Sequence, residues 1–333
     1  MKPTVICLTP IKNEAWILDN FLKSASLWAD YIIIADQMSM DGSREIALKY
    51  PKVKLIDNQS IAFNEPERQK LLINEARKIE GQRLLITLDA DEMFSPEIFG
   101  SKQWENVLNA APGTIIKFQW ANFLPDYKKM WYGYFFPWGY MDDGAEHNSE
   151  NKIHSGRIPL PDNHPIIEIN DFKVIHFQYV NWERMESKHR WYQCMESINY
   201  PDKSAVDIFR QYHHMLSVNE KDKVMIPESW KSEYLKKGID ITHLATNAQN
   251  WFDKSVLDFF DEYGVEKFRK IAIWNINWTE IERTYRKENA KIYKDPRSLL
   301  DKIIQFWLLK TQNKIHIKMI RRIDKYIKSY LHY

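Results

Sequence analysis

The chain has 333 residues, enough for one large α/β domain with an appendage or for two ordinary domains. Hydrophobic residues make up 44% and charged residues 28%, as in folded proteins, and 10 Gly and 14 Pro exclude collagen-like or Pro-rich architecture. The net charge of +2 gives no reason to expect a nucleic-acid partner. Two cysteines, Cys7 and Cys194, are too few for a disulfide scaffold and predict a reducing, cytoplasmic location.

The first third of the chain alternates strand-like and helix-like segments. Strands are predicted at 4–9, 31–35, 53–56 and 83–88. Helices are predicted at 13–27, from Ser43 as N-cap through 49, and at 67–79. This alternation indicates βαβ units and a parallel sheet, in which ligands bind beyond the carboxyl ends of the strands.

The remainder of the chain is less regular. Segments 114–120 and 172–177 are predicted as strands, and the aromatic and acidic stretch 131–162 between them as a long binding loop. From Trp182 onward the pattern is mostly helical, with one amphipathic helix predicted at 253–274. The expected organisation is a main domain at 1–200 and a helical extension at 201–333.

The most specific feature is the run Asp89-Ala90-Asp91-Glu92, which directly follows an apolar predicted strand. Carboxylates two residues apart on an extended chain point the same way and repel each other unless a cation lies between them. Carboxylate oxygens are preferred ligands of Mg²⁺ and Mn²⁺, which also bind substrate phosphates. The run therefore predicts a metal–diphosphate site, and two solvated acids in a turn are the alternative.

Two further polar segments follow predicted strands and would share that edge of the sheet. Asp36 follows the second strand, where a carboxylate beside a helix N-terminus accepts hydrogen bonds from a base imide or a ribose hydroxyl. The segment 9–14 follows the first strand and opens the first helix. Its Asn13 has a helix N-cap as the simpler interpretation.

The order of these motifs resembles glycosyltransferase family 2. The resemblance covers residues 3–95 strongly and 110–195 loosely. It implies an α/β GT-A fold, Rossmann-like, with a mostly parallel sheet flanked by helices, here followed by a helical extension. Residues 1–200 would form the catalytic domain, with a nucleotide-sugar half at 1–95 and an acceptor half at 110–200.

The resemblance also implies roles for individual residues. The base and ribose of the donor nucleotide would contact Thr9, Pro10, Asn13, Glu14, Asp36, Arg68, Asp89 and Ala90. Asp91 would hold a divalent Mn²⁺ or Mg²⁺ ion that bridges the diphosphate.

The resemblance also covers residues later in the chain. His176 would be a further metal ligand, and Lys188 and Arg190 would reach the diphosphate. A satisfied core histidine and a solvated helix face are the respective alternatives. The segment 154–157 is another candidate to face the acceptor or the diphosphate.

The catalytic base is harder to find from the sequence. Inverting transfer needs a carboxylate that deprotonates the acceptor hydroxyl. The Glu-Asp dipeptide that the family often uses is missing between Asp91 and His176. Asp143 is our first candidate and Asp142 the second, because a like-charge neighbour raises the pKa of one carboxyl of such a pair. Two acids in a Gly turn are the alternative.

The C-terminal segment 296–333 is strongly basic, with nine Lys and Arg against two Asp, a net charge of +7. Apolar residues interspersed among these charges are typical of a helix on an anionic membrane surface. A helix packed on the protein with a solvated basic face is the alternative. Peripheral membrane attachment would suit a lipid-linked acceptor, as in cell-envelope polysaccharide synthesis.

The sequence thus predicts a metal-assisted glycosyltransferase that moves a sugar from a nucleotide-diphosphate donor to a glycan or lipid-linked acceptor. The resemblance favours a uridine nucleotide and inversion at the sugar. An inactive glycan-binding protein on the same scaffold is one alternative. A sugar-phosphate nucleotidyltransferase is another, although the loop after the first strand lacks the expected glycines.

Overall fold

The computed structural model describes residues 2–60, 62–149, 151–244, 251–286 and 290–333. Within these residues the strands are β1 Thr4–Ile11, β2 Tyr31–Asp36, β3 Val53–Asp57, β4 Arg83–Thr87, β5 Glu92–Phe94, β6 Ile115–Phe123, β7 Lys129–Met141, β8 Ile166–Glu168, β9 Val174–His176 and β10 Lys223–Met225. The α-helices are α1 Leu18–Ala25, α2 Ser43–Ala47, α3 Glu65–Ala76, α4 Lys102–Val107, α5 Trp182–Asn199, α6 Ala205–Tyr212, α7 Glu228–Lys236, α8 Trp251–Tyr263, α9 Trp278–Arg286, α10 Leu299–Thr311 and α11 Lys318–Tyr330.

One sheet contains all the strands, in the order β3-β2-β1-β4-β7-β6-β9-β5, with β8 beside β6 and β10 beside β7. The first four strands in this order are parallel, and β7 then runs antiparallel to both β4 and β6. Helices connect the parallel strands. The predicted α/β fold, a mostly parallel sheet flanked by helices with a helical extension, is confirmed.

The parallel strands β1, β2 and β4 are mostly apolar, because helices cover both faces of this part of the sheet. In β1, Val5 and Cys7 face the layer that contains α1, whereas Ile6 and Leu8 face α3. This alternation is the period of two expected for a strand. It explains why β1 reads as one continuous apolar run.

The aromatic stretch predicted as a loop at 131–162 is largely a strand. Residues 131–141 belong to β7, which pairs with β6 along most of its length. The pairing shifts register between Ile116 and Lys117 and again between Gln119 and Ala121. These shifts, together with Pro137, interrupt the alternation of apolar and polar residues by which a strand is recognised. Only the part of the stretch after Met141 is irregular.

Backbone geometry places three helix boundaries away from their predicted positions. The helix predicted from 13 begins at Leu18, because Asn13 has a φ of 56° and does not act as an N-cap. The N-cap of α2 is Gly42, with a φ of 96°, in place of the predicted Ser43. The helix predicted at 253–274 ends at Tyr263, because Gly264 follows it with a φ of 76°.

The chain divides into two compact units. Unit 1 comprises 1–181 and 224–249, and unit 2 comprises 182–223 and 250–333. This division differs from the predicted boundary at 200. The helix α5 belongs to unit 2 because it packs on α6 and α8, and α7 belongs to unit 1 because Tyr234 is buried in the core of that unit. No helix in the described part of the chain is long and apolar enough to cross a membrane.

Candidate active site

The carboxyl ends of β1, β2 and β4 meet at one edge of unit 1. Strand β1 lies between the other two, with Ile11 beside Asp36 and Leu8 beside Thr87. Neighbouring strands are about 4.8 Å apart, so Asp36 and Asp89 are separated across the edge by roughly 10 Å. The two predicted donor-binding carboxylates therefore lie on the same edge, at a spacing comparable to a nucleoside.

The loops after β1 and β2 are tied together by their own polar groups. The backbone amides of 13–15 donate at 2.8, 2.9 and 2.9 Å, in chain order, to side-chain oxygens of Ser39, Ser43 and Asp41. The Asn13 carboxamide oxygen accepts from the Met40 amide at 2.8 Å. The two predicted motifs thus form one rigid substructure, and the positive φ of Asn13 is part of it.

Asp36 is buried at the end of β2 and is held by a cation. The Arg44 guanidinium donates to its carboxylate at 2.6 Å and also contacts Asp57 at 2.8 Å. The Ser39 amide points at the same carboxylate from 3.2 Å. The orientation of the Asp36 carboxylate is therefore fixed, and its side chain has no exposed surface.

The other donor-site candidates of the first half differ in exposure. Thr9 and Pro10 are buried inside β1, and the Thr9 hydroxyl lies 3.6 Å from the Cys7 sulfur. Arg68, on α3, lies 4.9 Å from the ring centre of Phe63. Its Nε is buried and has no hydrogen-bond partner among the described residues. Thr9 and the Arg68 Nε therefore present no surface to a ligand, whereas the rest of the Arg68 side chain is partly exposed.

The acidic run after β4 is organised by Arg157, which comes from the loop that follows β7. Its guanidinium donates to Asp89 at 2.7 Å and to Glu92 at 2.6 and 3.1 Å. Glu92 also accepts from the Asp89 amide at 2.9 Å and the Trp120 indole at 2.8 Å. One arginine thus balances two of the three carboxylates, and Asp91 is the third.

Two buried carboxyl groups beside this run have raised pKa values. Burial raises the pKa of Glu92 to about 7, an effect that Arg157 opposes and Asp89 reinforces. Burial also raises the pKa of Glu65, against Arg68 and the Ser155 amide. Perturbed carboxyls of this kind concentrate at functional sites.

Asp91, in the turn between β4 and β5, is brought beside His176 by the pairing of β5 with β9. Both are buried, and His176 Nε2 lies 4.0 Å from the Asp91 carboxylate. The other ring nitrogen, Nδ1, lies 2.8 Å from the Asn122 amide oxygen. Because an amide oxygen only accepts, Nδ1 carries the proton, and the acceptor lone pair of the neutral ring is on Nε2, the side of Asp91. Such an outer hydrogen bond is typical of metal-ligating histidines.

This donor set fits a divalent ion that is completed by its substrate. No group of three His, Cys, Asp or Glu side chains suited to a metal occurs in the described ranges. Mg²⁺ is usually bound by one or two protein ligands together with substrate phosphates and water. An acid and an imidazole nitrogen, as in Asp91 and His176, are therefore sufficient as the protein's share.

An aromatic stack borders the same site. The Trp120 ring stacks on His176 at 4.6 Å and lies 4.6 Å from Phe136 and 4.9 Å from Trp138. The Arg157 guanidinium lies 4.8 Å from the ring centre of Trp138. Side chains of β6 and β7 thus hold both His176 and Arg157, the cation of the acidic run, in place.

The two acids predicted to supply the base lie at the opposite end of the sheet. Because β7 runs antiparallel to β4, Asp142 comes beside Arg83, where β4 begins, about 20 Å from Asp89. Burial raises the pKa of Asp142, but hydrogen bonds from Arg77 and Arg83 outweigh it and keep that pKa below its ordinary value. Asp143 accepts from the Tyr140 hydroxyl. This geometry is structural, and it places both residues away from Asp36, Asp89 and Asp91.

Lys188 and Arg190 belong to α5 in unit 2. The Arg190 guanidinium is buried and donates to both oxygens of Asp253 at 2.9 and 2.7 Å. That ion pair joins α5 to α8. It neutralises the charge of Arg190, so this charge needs no diphosphate to balance it. The Lys188 ammonium lies 6.0 Å from the Tyr192 ring centre, and its role as a donor contact stays a prediction.

Sequence reasoning missed Glu65, Glu92, Asn122 and Trp120 as parts of the site. Glu92 is adjacent to the motif, so its position in the sequence was a usable signal. The other three come from α3 and β6, and only the fold brings them to this edge. Arg157 falls within the candidate segment 154–157, but its carboxylate partners depend on long-range contacts.

No protein-family model matches the chain, and no curated protein matches it. Among solved structures it is similar to glucosyl-3-phosphoglycerate synthase from Mycobacterium tuberculosis, with 15% identity, a TM-score of 0.28, and coverage of 36% of this chain and 44% of that one. It is also similar to 4-diphosphocytidyl-2C-methyl-D-erythritol synthase from Anaerococcus prevotii, with 13% identity, a TM-score of 0.31, and coverage of 50% and 90%. A third is mannose-1-phosphate geranyltransferase from Thermus thermophilus, with 13% identity, a TM-score of 0.29, and coverage of 41% and 50%.

The chain spans less than two thirds of the first and third of these proteins. Similarity at this level carries no functional inference, and the strand order and the site contacts carry the argument instead.

Proposed function

We propose that this protein is a glycosyltransferase of the family 2 type, which moves a sugar from a nucleotide-diphosphate donor to a glycan or lipid-linked acceptor. The observation that carries the proposal is the convergence of three motif loops at one edge of a parallel sheet. There, Asp36 and Asp89 lie two strands apart, and Asp91 is paired with an oriented His176. The sequence resemblance favours a uridine nucleotide.

In this proposal the edge binds the donor along its length. Asp36, fixed by Arg44, accepts from the base, which requires that its covered carboxylate become exposed, and the interlocked loop at 13–15 forms the wall beside it. Asp89 lies where the ribose would follow, and the partly exposed Arg68 guanidinium contacts the nucleotide. Asp91 and His176 hold Mn²⁺ or Mg²⁺ at the diphosphate.

A divalent ion bound there would neutralise charge that develops on the leaving diphosphate. The chain's own contribution is preorganisation: Arg157 keeps Asp89 and Glu92 in place, and Asn122 fixes the His176 ring. Groups held in position before the substrate binds need no reorganisation during the reaction. Since Asp142 and Asp143 lie at the far end, the acceptor's proton goes to another group.

A thermal-shift panel of nucleotides and nucleotide sugars, with and without Mn²⁺, tests the donor site. A ligand that binds only the folded protein adds about 3 kcal/mol of stability at 100 times its Kd. This added stability raises Tm. We expect a shift with one base, dependent on metal and lost in Asp91→Asn. Asp143→Asn is the matched control and should retain it. No shift with any nucleotide would overturn the proposal.

An inactive glycan-binding protein is the second candidate. The observation that favours it is the exposed aromatic edge of β7, where Tyr134 is 82% exposed, combined with the removal of both predicted bases from the site. Slow, metal-dependent hydrolysis of a nucleotide sugar would exclude this candidate. Metal-independent glycan binding without any nucleotide shift would establish it instead.

A further inference from the structure

The C-terminal helix pair, formed by α10, α11 and the turn between them, has one packed side and one uncovered side. Arg210 on α6 organises the packed side. Its guanidinium donates to the Leu308 carbonyl and the Thr311 hydroxyl at 2.8 Å each, and to Asp324 at 3.0 Å. The Trp307 indole also donates to Asp324, at 3.2 Å. The pair is therefore a fixed part of unit 2.

The uncovered side of the C-terminal helix pair is apolar. On α10, Leu299, Ile303 and Phe306 are 76%, 56% and 61% exposed and follow the spacing of one helix face. On α11, Met319 and Tyr330 are exposed to a similar degree. Large apolar side chains left exposed on one face of a helix are candidates for an interaction site.

Charge identifies the partner of this surface. The acids within the helix pair, Asp301 and Asp324, are both buried, and hydrogen bonds to Ser298 and Arg210 occupy them. Among the exposed basic residues of the helix pair, Lys302 contacts Asp295 at 3.6 Å. The others form no ion pair within the described residues, and they are Lys310, Lys314, Lys318, Arg321, Arg322 and Lys325. The uncovered side thus carries a large excess of positive charge around its apolar residues.

We propose that the uncovered side of the C-terminal helix pair binds the surface of an anionic phospholipid bilayer. Apolar side chains enter the boundary between headgroups and acyl chains, and flanking Lys and Arg contact the acidic headgroups. A protein partner would have to cover a broad apolar face and also supply six or so carboxylates. An anionic bilayer supplies both features at once. The proposal extends the function above but does not depend on it.

Vesicle flotation of the full chain tests this proposal. We expect the protein to float with vesicles of equal parts phosphatidylcholine and phosphatidylglycerol but not with phosphatidylcholine alone. Binding should be lost at 1 M salt, where the screening length falls to about 3 Å. Flotation equal on both vesicle types, or on neither, would overturn the proposal.

Variants separate the two contributions. Arg321→Gln with Arg322→Gln and Lys325→Gln should lower partitioning about 100-fold, since each basic residue contributes about fivefold. Ile303→Gln with Phe306→Gln should lower it at least about tenfold. Lys49→Gln with Lys70→Gln, and separately Leu48→Gln, alter exposed residues of unit 1 as matched controls and should change nothing. Circular dichroism melts check that every variant is folded.

Two other outcomes would replace the proposal. If the wild type is a dimer by light scattering and the Ile303→Gln, Phe306→Gln variant is a monomer, the face binds a second copy of the chain. If flotation survives both sets of substitutions, another surface binds lipid. The nucleotide thermal shift is read on the same samples. Loss of flotation with a retained shift, or the reverse, therefore distinguishes failure of this proposal from failure of the donor site.

Discussion

At the residue scale, Arg157 contacts two of the three carboxylates that lie within four residues of chain. Uncompensated, Asp89, Asp91 and Glu92 would repel one another in a partly buried place. A single guanidinium bridges the first and last of them, and Trp138 covers its face. Arginine suits this position because its planar fork donates to two carboxylates at once, which a lysine ammonium does less well.

Replacement of Arg157 tests that account. Arg157→Met leaves Glu92 buried without its cation, and removal of one partner from a buried pair costs about 3–5 kcal/mol. Arg157→Lys should cost less, because charge is retained and only the fork is lost. Lys236→Gln breaks an exposed pair with Glu233 and should cost much less than either. Urea denaturation measures all three, and equal stabilities for Arg157→Met and Lys236→Gln would contradict the account.

At the element scale, strand β7 has the largest consequences for the site. Its antiparallel direction carries the chain away from the carboxyl edge, so Asp142 and Asp143 arrive at the opposite end of the sheet. The following loop then returns beside α3, from Arg77 at the end of the helix to Glu65 at its start, and delivers Arg157. The direction of β7 thus determines which polar residues lie at the carboxyl edge of the parallel strands.

Close packing of β7 between β4 and β6 predicts a strong effect at Gly139. A Cβ at this position would meet Ile116 Cβ at 2.8 Å and Ile86 Cδ1 at 3.1 Å. Gly139→Ala should therefore destabilise unit 1 by about 1–3 kcal/mol through overpacking. Gly100→Ala, which meets nothing within 4 Å, is the control and should stay within about 0.5 kcal/mol of the wild type. The denaturation midpoints of the two variants, each compared with the wild type, measure both effects.

At the scale of the whole molecule, the elements built from local periodicity are those that the sequence predicts best. The four parallel strands and their helices follow from apolar runs and helix-face spacing, and with them the edge that holds Asp36 and Asp89. Much of what the sequence did not disclose depends on pairing between distant segments. The partner of Arg190 and the Glu92 partner of Arg157 each lie more than 60 residues away in the chain. Strand β7 is obscured instead by the register shifts and Pro137, which interrupt its alternation.

Unit 2 should lose stability in acid. In unit 2, burial lowers the pKa of His213 to about 4, against a hydrogen bond to the Phe209 carbonyl. The unfolded chain binds this proton near pH 6.5 and the folded chain near pH 4, so the free energy of unfolding falls as pH drops through that window. The expected loss from His213 is on the order of 3 kcal/mol.

His213→Asn tests this expectation, because its side-chain amide preserves a donor near the position of Nδ1 without titrating. The variant should lose less stability than the wild type between pH 6.5 and 4. His316 is exposed, so His316→Asn should show the same pH dependence of stability as the wild type. Stability is measured by urea denaturation at each pH. Parallel pH curves for wild type and His213→Asn would contradict the assignment.

The central claim is that Asp91 and His176 bind a divalent ion together with a nucleotide diphosphate, and calorimetric titration of UDP tests it most directly. The account predicts binding in Mn²⁺ at least about tenfold tighter than in EDTA, which corresponds to about 1.4 kcal/mol. Asp91→Asn should abolish that difference, and Asp143→Asn should preserve it. Equal affinity in Mn²⁺ and EDTA, or an unchanged metal dependence in Asp91→Asn, would contradict the account.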